Sequence, residues 1–300
     1  MIVFLNGKFV PENRAVVSVF DRGFLYGDAL FEGMLVTGGK PFRWREHMER
    51  LQRGVEFVNF TIPYSYDELE TFAAKLIEKN RMPECMLRLS ITRGITGRTY
   101  SPRNAVNPAV VMSLHPTPVI EKMPRWPVII PSLRLMANDP LMEFKSTNKL
   151  RQVLARAEAD DAGAKEAVLL NTKGHLAEGT TSNVFWVKDN VVYTPVLSDS
   201  ALPGVTRSVI LELCVKLKID FRVQSAGVTA LRHADGAFLT MTSMGLVEIE
   251  SVDGHKIGRS PLVKKLWSEY RKLLNGHCRL PPVPAKATRP SASPSRSNRG

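Results

Sequence analysis

Lys145 is a residue whose type and setting in the sequence suit covalent chemistry. It lies among apolar and small residues in the segment 144–150, just before a predicted helix, and a second cation, Lys149, lies close by. An isolated lysine is most often a solvated surface charge. A partly buried lysine beside another cation instead has a lowered pKa, and its neutral amine attacks carbonyl carbon to form a Schiff base.

A single acid, Glu178, lies between two predicted strands and is followed by the small and hydroxyl residues 179–182. An acid in such a place can pair with the ring nitrogen of pyridoxal phosphate, which needs a protonated nitrogen to act as an electron sink. A glutamate that caps a turn explains the same pattern, so Glu178 alone does not decide the chemistry.

Two further segments suit an anion. Gly204, Val205 and Thr206 come just before an amphipathic helix, where free backbone N–H groups and the helix dipole favour a negative charge. The hydroxyl cluster 240–243, which contains Thr242 and Ser243, follows a predicted strand. Each has a simpler interpretation, ordinary helix capping for the first and an ordinary turn for the second.

Short strands and helices must position these residues. The Asn6-Gly7 pair between apolar runs predicts a hairpin. Hydrophobic periodicity predicts the remaining elements: a second hairpin at 29–43, helices at 47–57 and 67–79, strands at 86–92, 108–114 and 126–135, a helix at 150–162, hairpins at 167–177 and 184–193, and helices at 206–217 and 261–274. The pattern indicates an α+β or α/β chain of two domains.

Proline content predicts the domain boundaries. The segment 116–127 carries four prolines and little periodicity, and we interpret it as the linker between an N-terminal domain, 1–115, and a C-terminal domain, 128–276. The segment 277–300 is rich in Pro, Ser and Ala and has little to bury, so it is predicted to be a disordered basic tail.

Composition sets limits on the class of protein. The chain has 300 residues, 44% of them hydrophobic, which is enough for a buried core. Cys85, Cys214 and Cys278 form no CxxC pair, so neither a disulfide framework nor a zinc site is predicted, and no metal is expected. No signal peptide or membrane-spanning run is recognised, so a cytoplasmic location is expected.

The net charge of +12 is unusual, and five of these positive charges lie in the segment 277–300, which has no acid. A basic nucleic-acid-binding protein is therefore the alternative from a different class. No basic stripe with interleaved aromatic residues supports it, and a solvated tail explains the charge better.

Five blocks of sequence together resemble the class IV aminotransferases, a family that includes branched-chain and D-amino-acid aminotransferases and aminodeoxychorismate lyase. The blocks are 21–33, 45–51, Lys145 with Asn148, Glu178-Gly179 with Ser182-Asn183, and 201–207. The resemblance extends from Phe4 to about Leu274. It implies the two-domain fold type IV of pyridoxal-phosphate enzymes, and a homodimer in which the neighbour partly completes the pocket.

The resemblance also implies a role for each matching residue. Lys145 holds pyridoxal 5′-phosphate as a Schiff base and moves the α-proton, while Glu178 pairs with the ring nitrogen. The phosphate is held by Arg50, by the backbone of Val205 and Thr206, and by Thr242, and Leu202 packs on the ring. The substrate pocket is bordered by Tyr26, Phe31, Gly33, Arg98 and the Thr242-Ser243 turn.

Departures from the family pattern leave the subfamily open. Leu35 and Met86 stand where bacterial branched-chain enzymes have an arginine and a tyrosine. The stretch 92–101 resembles the carboxylate-binding loop of D-amino-acid aminotransferases, and resembles the lyases more closely. Lys149 stands where aminotransferases commonly have Tyr or Leu and the lyases have Arg. It could hydrogen-bond the phenolic oxygen of the cofactor or attract an acidic substrate.

The favoured interpretation is an aminotransferase that exchanges an α-amino group between an amino acid, with branched-chain amino acids leading, and 2-oxoglutarate. The alternatives are 4-amino-4-deoxychorismate lyase and a D-amino-acid aminotransferase.

Overall fold

The computed structural model describes residues 1–97 and 99–276. Arg98 and the predicted tail 277–300 lie outside the described residues. The N-terminal part contains β1 (Ile2–Leu5), β2 (Lys8–Pro11), α1 (Arg22–Tyr26), β3 (Ala29–Thr37), β4 (Lys40–Pro41), α2 (Trp44–Val58), α3 (Tyr66–Asn80), β5 (Cys85–Thr92) and β6 (Val110–His115). The strands form a six-stranded antiparallel sheet in the order β2-β1-β6-β5-β3-β4.

Side chains alternate across this first sheet. In β3 the even-numbered residues from Leu30 to Val36 are buried, whereas Phe31, Gly33 and Leu35 are only partly buried. Of these, Leu30, Met34 and Val36 pack with α2 and α3 into one hydrophobic core. Period-two alternation therefore leaves the odd-numbered residues of β3 on the opposite face, which lines the candidate site.

The C-terminal part contains a larger, mixed sheet. Its elements are β7 (Arg125–Ile129), β8 (Arg134–Leu135), α4 (Leu150–Asp161), β9 (Glu166–Asn171), β10 (Leu176–Gly179), β11 (Asn183–Lys188), β12 (Val191–Thr194), α5 (Val205–Leu217), β13 (Phe221–Val223), α6 (Val228–Arg232), β14 (Gly236–Met241), β15 (Gly245–Val252), β16 (His255–Lys256) and α7 (Pro261–Leu274). Ten strands pair, with β7–β9, β7–β15, β8–β9 and β12–β13 parallel.

Helices cover both faces of the second sheet. α5 and α7 pack on one face and α6 on the other, so β9, β11 and β14 are almost wholly buried. This is the predicted α+β two-domain fold. Every helix of the described ranges is too short or too polar to cross a lipid bilayer.

The predicted hairpins and helices are confirmed, with boundaries shifted by a few residues. The single strand predicted at 126–135 is wrong, because the structure has two short strands, β7 and β8, separated by the segment around Pro131. Proline has no N–H to donate to a ladder, which favours such a break. β7 also begins at Arg125, inside the predicted linker, because its first residues pair with β15.

Candidate active site

A cavity of about 610 Å³ lies where β3 and β5 meet α4, the start of α5 and the end of β14. It brings together residues that are far apart in the sequence: Phe31, Gly33, Arg50, Lys145, Lys149, Glu178, Leu202, Val205, Thr206 and Thr242 all line it. Ten of the thirteen predicted site residues therefore surround one space.

Lys145 is fixed by its backbone. The segment that carries it runs beside β3, where the N–H of Phe31 donates to the Lys145 carbonyl at 2.9 Å and that of Thr147 donates to Ala29 at 3.0 Å. The Lys145 Nζ lies 4.6 Å from the centre of the Phe31 ring. The lysine amine therefore enters the cavity over an aromatic floor.

The pKa of Lys145 is lowered to about 8, first by burial and then by the positive charge of Arg50. Lys149 acts in the same direction, while Glu32 and Glu178 oppose it. A substantial fraction of the amine is consequently neutral near pH 8, as a nucleophile or a base requires.

Glu178 lies at the end of β10, and its carboxylate accepts the backbone N–H of Leu202 at 2.9 Å. The Nε2 of Gln152 approaches its other oxygen at 3.5 Å. Burial raises the pKa of Glu178, and the charges of Lys149 and Lys145 oppose this increase. Asn183, its cross-strand partner, donates to the Leu202 carbonyl at 2.8 Å, so Glu178 and Leu202 are held together.

A buried ion pair positions Arg50. Its guanidinium donates two hydrogen bonds to Glu32, at 2.8 and 2.5 Å, and a third to the carbonyl of Pro203 at 3.1 Å. The Nδ1 of His47 lies 2.7 Å from the same carboxylate. Burial by itself raises the pKa of Glu32, but Arg50 and His47 outweigh it and lower the pKa to about 2. Glu32 therefore remains ionised and aims Arg50 at the cavity.

The start of α5 is suited to a phosphate. Gly204 occupies the N-cap position and has no side chain that could accept a hydrogen bond. The first N–H groups of the helix therefore have no capping side chain as a partner. A Cβ on Gly204 would lie 2.0 Å from Asn183 Oδ1, which explains the glycine. Thr240 also lines the cavity, and its buried Oγ1 has no hydrogen-bond partner among the described residues. Together with Arg50, these groups fit a phosphorylated cofactor.

Arg88 gives the opposite wall a second guanidinium. It lies across from Gly33 in the β3–β5 ladder, and its Cζ is 4.0 Å from the Phe31 ring centre. Burial lowers its pKa. No ion pair joins it to an acid within the described ranges, and its Nε donates only to Ser90, at 3.2 Å. An acidic group that enters here finds an available cation.

Comparison with known proteins identifies the family of the chain. The model of the amino-transferase class IV family matches residues 29–252. The chain belongs to this family.

Four similar proteins illustrate the match. A Methanocaldococcus jannaschii protein assigned as a branched-chain-amino-acid aminotransferase is 34% identical and covers 91% of this chain and 96% of its own. A Staphylococcus aureus D-alanine aminotransferase is 31% identical, over 92% and 98%. A solved Escherichia coli branched-chain amino acid aminotransferase is 29% identical, with a TM-score of 0.88 and coverage of 94% and 99%. Another solved branched-chain amino acid aminotransferase, with a TM-score of 0.86, contains pyridoxamine 5′-phosphate.

Two predicted residues of this aminotransferase, Tyr26 and Ser243, are not among the lining residues, and a third, Arg98, lies outside the described residues. Ser243 is only partly exposed. Tyr26 is directed elsewhere, since its ring lies 5.4 Å from that of Tyr100. Arg22 of α1 donates hydrogen bonds to the backbone carbonyls of residues 99, 100 and 101. It therefore holds the loop that carries Tyr100 against α1.

Sequence reasoning assigned no role to Glu32, Arg88 and Gln152, which line the aminotransferase cavity or support it, and it named Thr240 only as part of the hydroxyl cluster 240–243. For Glu32 a signal was present, because alternation along β3 places an acid in the core, where it needs a cation. Arg88 and Gln152 depend on tertiary packing. Within the described ranges, no cluster of three or more His, Cys, Asp or Glu side chains is arranged to hold a metal ion.

Proposed function

We propose that this aminotransferase transfers the α-amino group of a branched-chain amino acid to 2-oxoglutarate, with pyridoxal 5′-phosphate held by Lys145. The observation that carries the proposal is a lysine of lowered pKa in a cavity that is also lined by a buried carboxylate and by a helix start without a capping side chain. Class IV aminotransferases depend on this cofactor, and a similar solved structure contains its amine form.

The lining residues support a specific cofactor orientation. Arg50, the N–H groups of Val205 and Thr206, and the Thr242 hydroxyl would hold the phosphate, while Leu202 packs on the ring. Glu178 would then face the ring nitrogen. Lys149 lies near Glu178, and its charge lowers the carboxyl pKa against the effect of burial. This interaction supports the ionised carboxylate that a protonated ring nitrogen requires.

Bound there, the cofactor supplies the electron sink that makes the substrate α-carbon acidic. Once the substrate amine has displaced Lys145 from the cofactor, the freed Nζ would accept the α-proton and return it to the cofactor. Burial serves this step, because it lowers the lysine pKa to about 8 and brings it near working pH.

Two features of the β3–β5 wall favour the proposed substrates. Phe31 gives an apolar surface, and Gly33 lines the cavity beside it without a side chain, with the Met86 methyl 3.8 Å from where a Cβ on Gly33 would lie, so an aliphatic side chain would meet apolar groups here. Arg88, above Phe31, is available to bind the second carboxylate of 2-oxoglutarate. One methylene of an aliphatic side chain contributes only about 1–3 kcal/mol to discrimination, so selectivity among such side chains is expected to be modest.

The proposal includes a cytoplasmic homodimer. Apolar side chains are exposed beside α1 and along α4, and contiguous apolar surface marks interaction sites. They are Val16, Val17, Val19, Phe24, Leu25, Leu150, Val153 and Leu154. In this arrangement Tyr26 and the residues 99–101 beside it would reach the cavity of the neighbouring protomer rather than their own.

The second candidate is a D-amino-acid aminotransferase, which the similarity to the Staphylococcus aureus D-alanine aminotransferase favours. The visible spectrum of the holoenzyme separates the candidates when L-leucine, D-alanine and aminodeoxychorismate are added in turn. Conversion to the pyridoxamine form by L-leucine, followed by recovery with 2-oxoglutarate, is the expected result. Conversion by D-alanine alone would replace the proposal with the second candidate, and pyruvate release from aminodeoxychorismate would replace it with the lyase.

A further inference from the structure

Arg207 is a buried cation without a carboxylate partner. It is the third residue of α5 and only 5% exposed. Its Nη2 donates to the Pro195 carbonyl at 3.0 Å, and its Nε has no hydrogen-bond partner in the described part of the chain. Burial lowers its pKa to about 10. Removing a guanidinium from water without a counter-charge is costly, so this residue requires an explanation.

The other buried arginines differ in this respect. Among the described residues three arginines are buried, and Arg22 pairs with Asp28 while Arg50 pairs with Glu32. No ion pair joins Arg207 to an acid in the same ranges. The dipole of α5 makes the imbalance larger, because the positive end of the helix lies in the turn that carries Arg207.

An anion at the start of α5 would balance this charge. Arg207 immediately follows Val205 and Thr206, which line the proposed phosphate site. Its Cβ lies 3.4 Å from the position that a Cβ on Gly204 would occupy, so the stem of the side chain packs against the helix start. Arg207 itself is not among the cavity-lining residues, so it would act on a ligand there without direct contact.

We propose that Arg207 is a positioning residue for the cofactor phosphate, whose negative charge is the missing counter-charge of the buried guanidinium. The effect is electrostatic and acts through the first turn of α5. This inference rests on the proposed cofactor, but not on the identity of the amino acid substrate.

The test compares pyridoxal 5′-phosphate with pyridoxal, which lacks the phosphate, as ligands of the full chain. In Arg207→Met we expect affinity for pyridoxal phosphate to fall by at least about tenfold, as a buried charge acting on a dianion predicts. Affinity for pyridoxal is expected to stay unchanged. The melting temperature of the cofactor-free protein should stay the same or rise, since an unpaired buried charge has been removed. Inorganic phosphate should stabilise the wild-type protein more than the variant.

Arg207→Lys keeps the charge and should recover most of the affinity for pyridoxal phosphate. Arg43→Met is the matched control, because Arg43 packs against α5 but is paired with Glu212. This control should lower the melting temperature and leave the ratio of the two affinities unchanged. The proposal is overturned if Arg207→Met fails to fold, if it behaves like the control, or if it weakens both ligands equally. The ratio is measured without amino acid, so an error in substrate assignment leaves it intact.

Discussion

Substitution of Glu32 by glutamine tests the ion pair that holds Arg50. Both side chains are buried, and the carboxylate has a pKa of about 2 against an ordinary value of 4.5. At about 1.4 kcal/mol per pH unit, this difference corresponds to about 3 kcal/mol of stability. Breaking a buried pair on one side typically costs a similar amount, about 3–5 kcal/mol. We therefore expect Glu32→Gln to lose about 3 kcal/mol at pH 7.

The direction of the pKa shift determines how the stabilisation by Glu32 changes with pH. The folded-state pKa of Glu32 is depressed, so its contribution is fully present above the unfolded value of 4.5 and is lost as pH falls toward 2. The difference between wild-type and Glu32→Gln protein should therefore be constant from pH 7 to about 5. Below 4.5 it should shrink by about 1.4 kcal/mol per pH unit.

Urea unfolding of the cofactor-free protein, at fixed protein concentration and at pH 7, 5, 4 and 3.5, measures this difference. Glu49→Gln, on the helix that carries Arg50, is the control, because its partner Arg45 is exposed and such pairs contribute less than about 1 kcal/mol. A loss for Glu32→Gln as small as that of the control, or a loss that does not change between pH 5 and 3.5, would refute the reasoning.

Three further predictions concern the cavity. In the cofactor-free protein, reductive methylation of Lys145, followed by peptide mass spectrometry, should be half-maximal near pH 8, because the amine is protonated below its lowered pKa and neutral above it. Arg88→Leu should raise the KM for 2-oxoglutarate by about 10- to 100-fold, the value of a charge-assisted hydrogen bond, and leave the half-reaction with L-leucine almost unchanged in stopped-flow measurements. Thr240→Val should leave the thermal stability of the cofactor-free protein unchanged or higher, since the Thr240 hydroxyl has no partner in the described part of the chain.

For each of these three predictions, a specific result would contradict it. Methylation with a midpoint near 10 would show that the Lys145 amine is solvated, and equal losses with both substrates would remove Arg88 from carboxylate recognition. For Thr240 the control is Thr194→Val, whose hydroxyl donates to the Val184 carbonyl at 3.0 Å and should cost about 1 kcal/mol. Equal destabilisation by the two valine substitutions would show that the Thr240 hydroxyl is bonded after all.

Local patterns in the sequence predicted most of the secondary structure. The Asn6-Gly7 turn, the alternation of β3 and the periodicity of α2 depend on neighbours along the chain, and these elements formed as expected. Motif blocks likewise indicated the family, and ten of the thirteen site residues line one cavity. Short-range chemistry and motif spacing are properties that a sequence carries directly.

The electrostatics of the site were decided only by the tertiary structure. Arg50 is aimed by Glu32 across two elements, Arg88 finds no acid near it within the described ranges, and Arg207 is buried without a counter-charge. Each of these features depends on which charged groups the fold buries close together and which it keeps apart. The distance between residues along the sequence determines neither. The lowered pKa of Lys145 is the clearest case, since the sequence identified the lysine, but only burial beside Arg50 makes its amine reactive near pH 8.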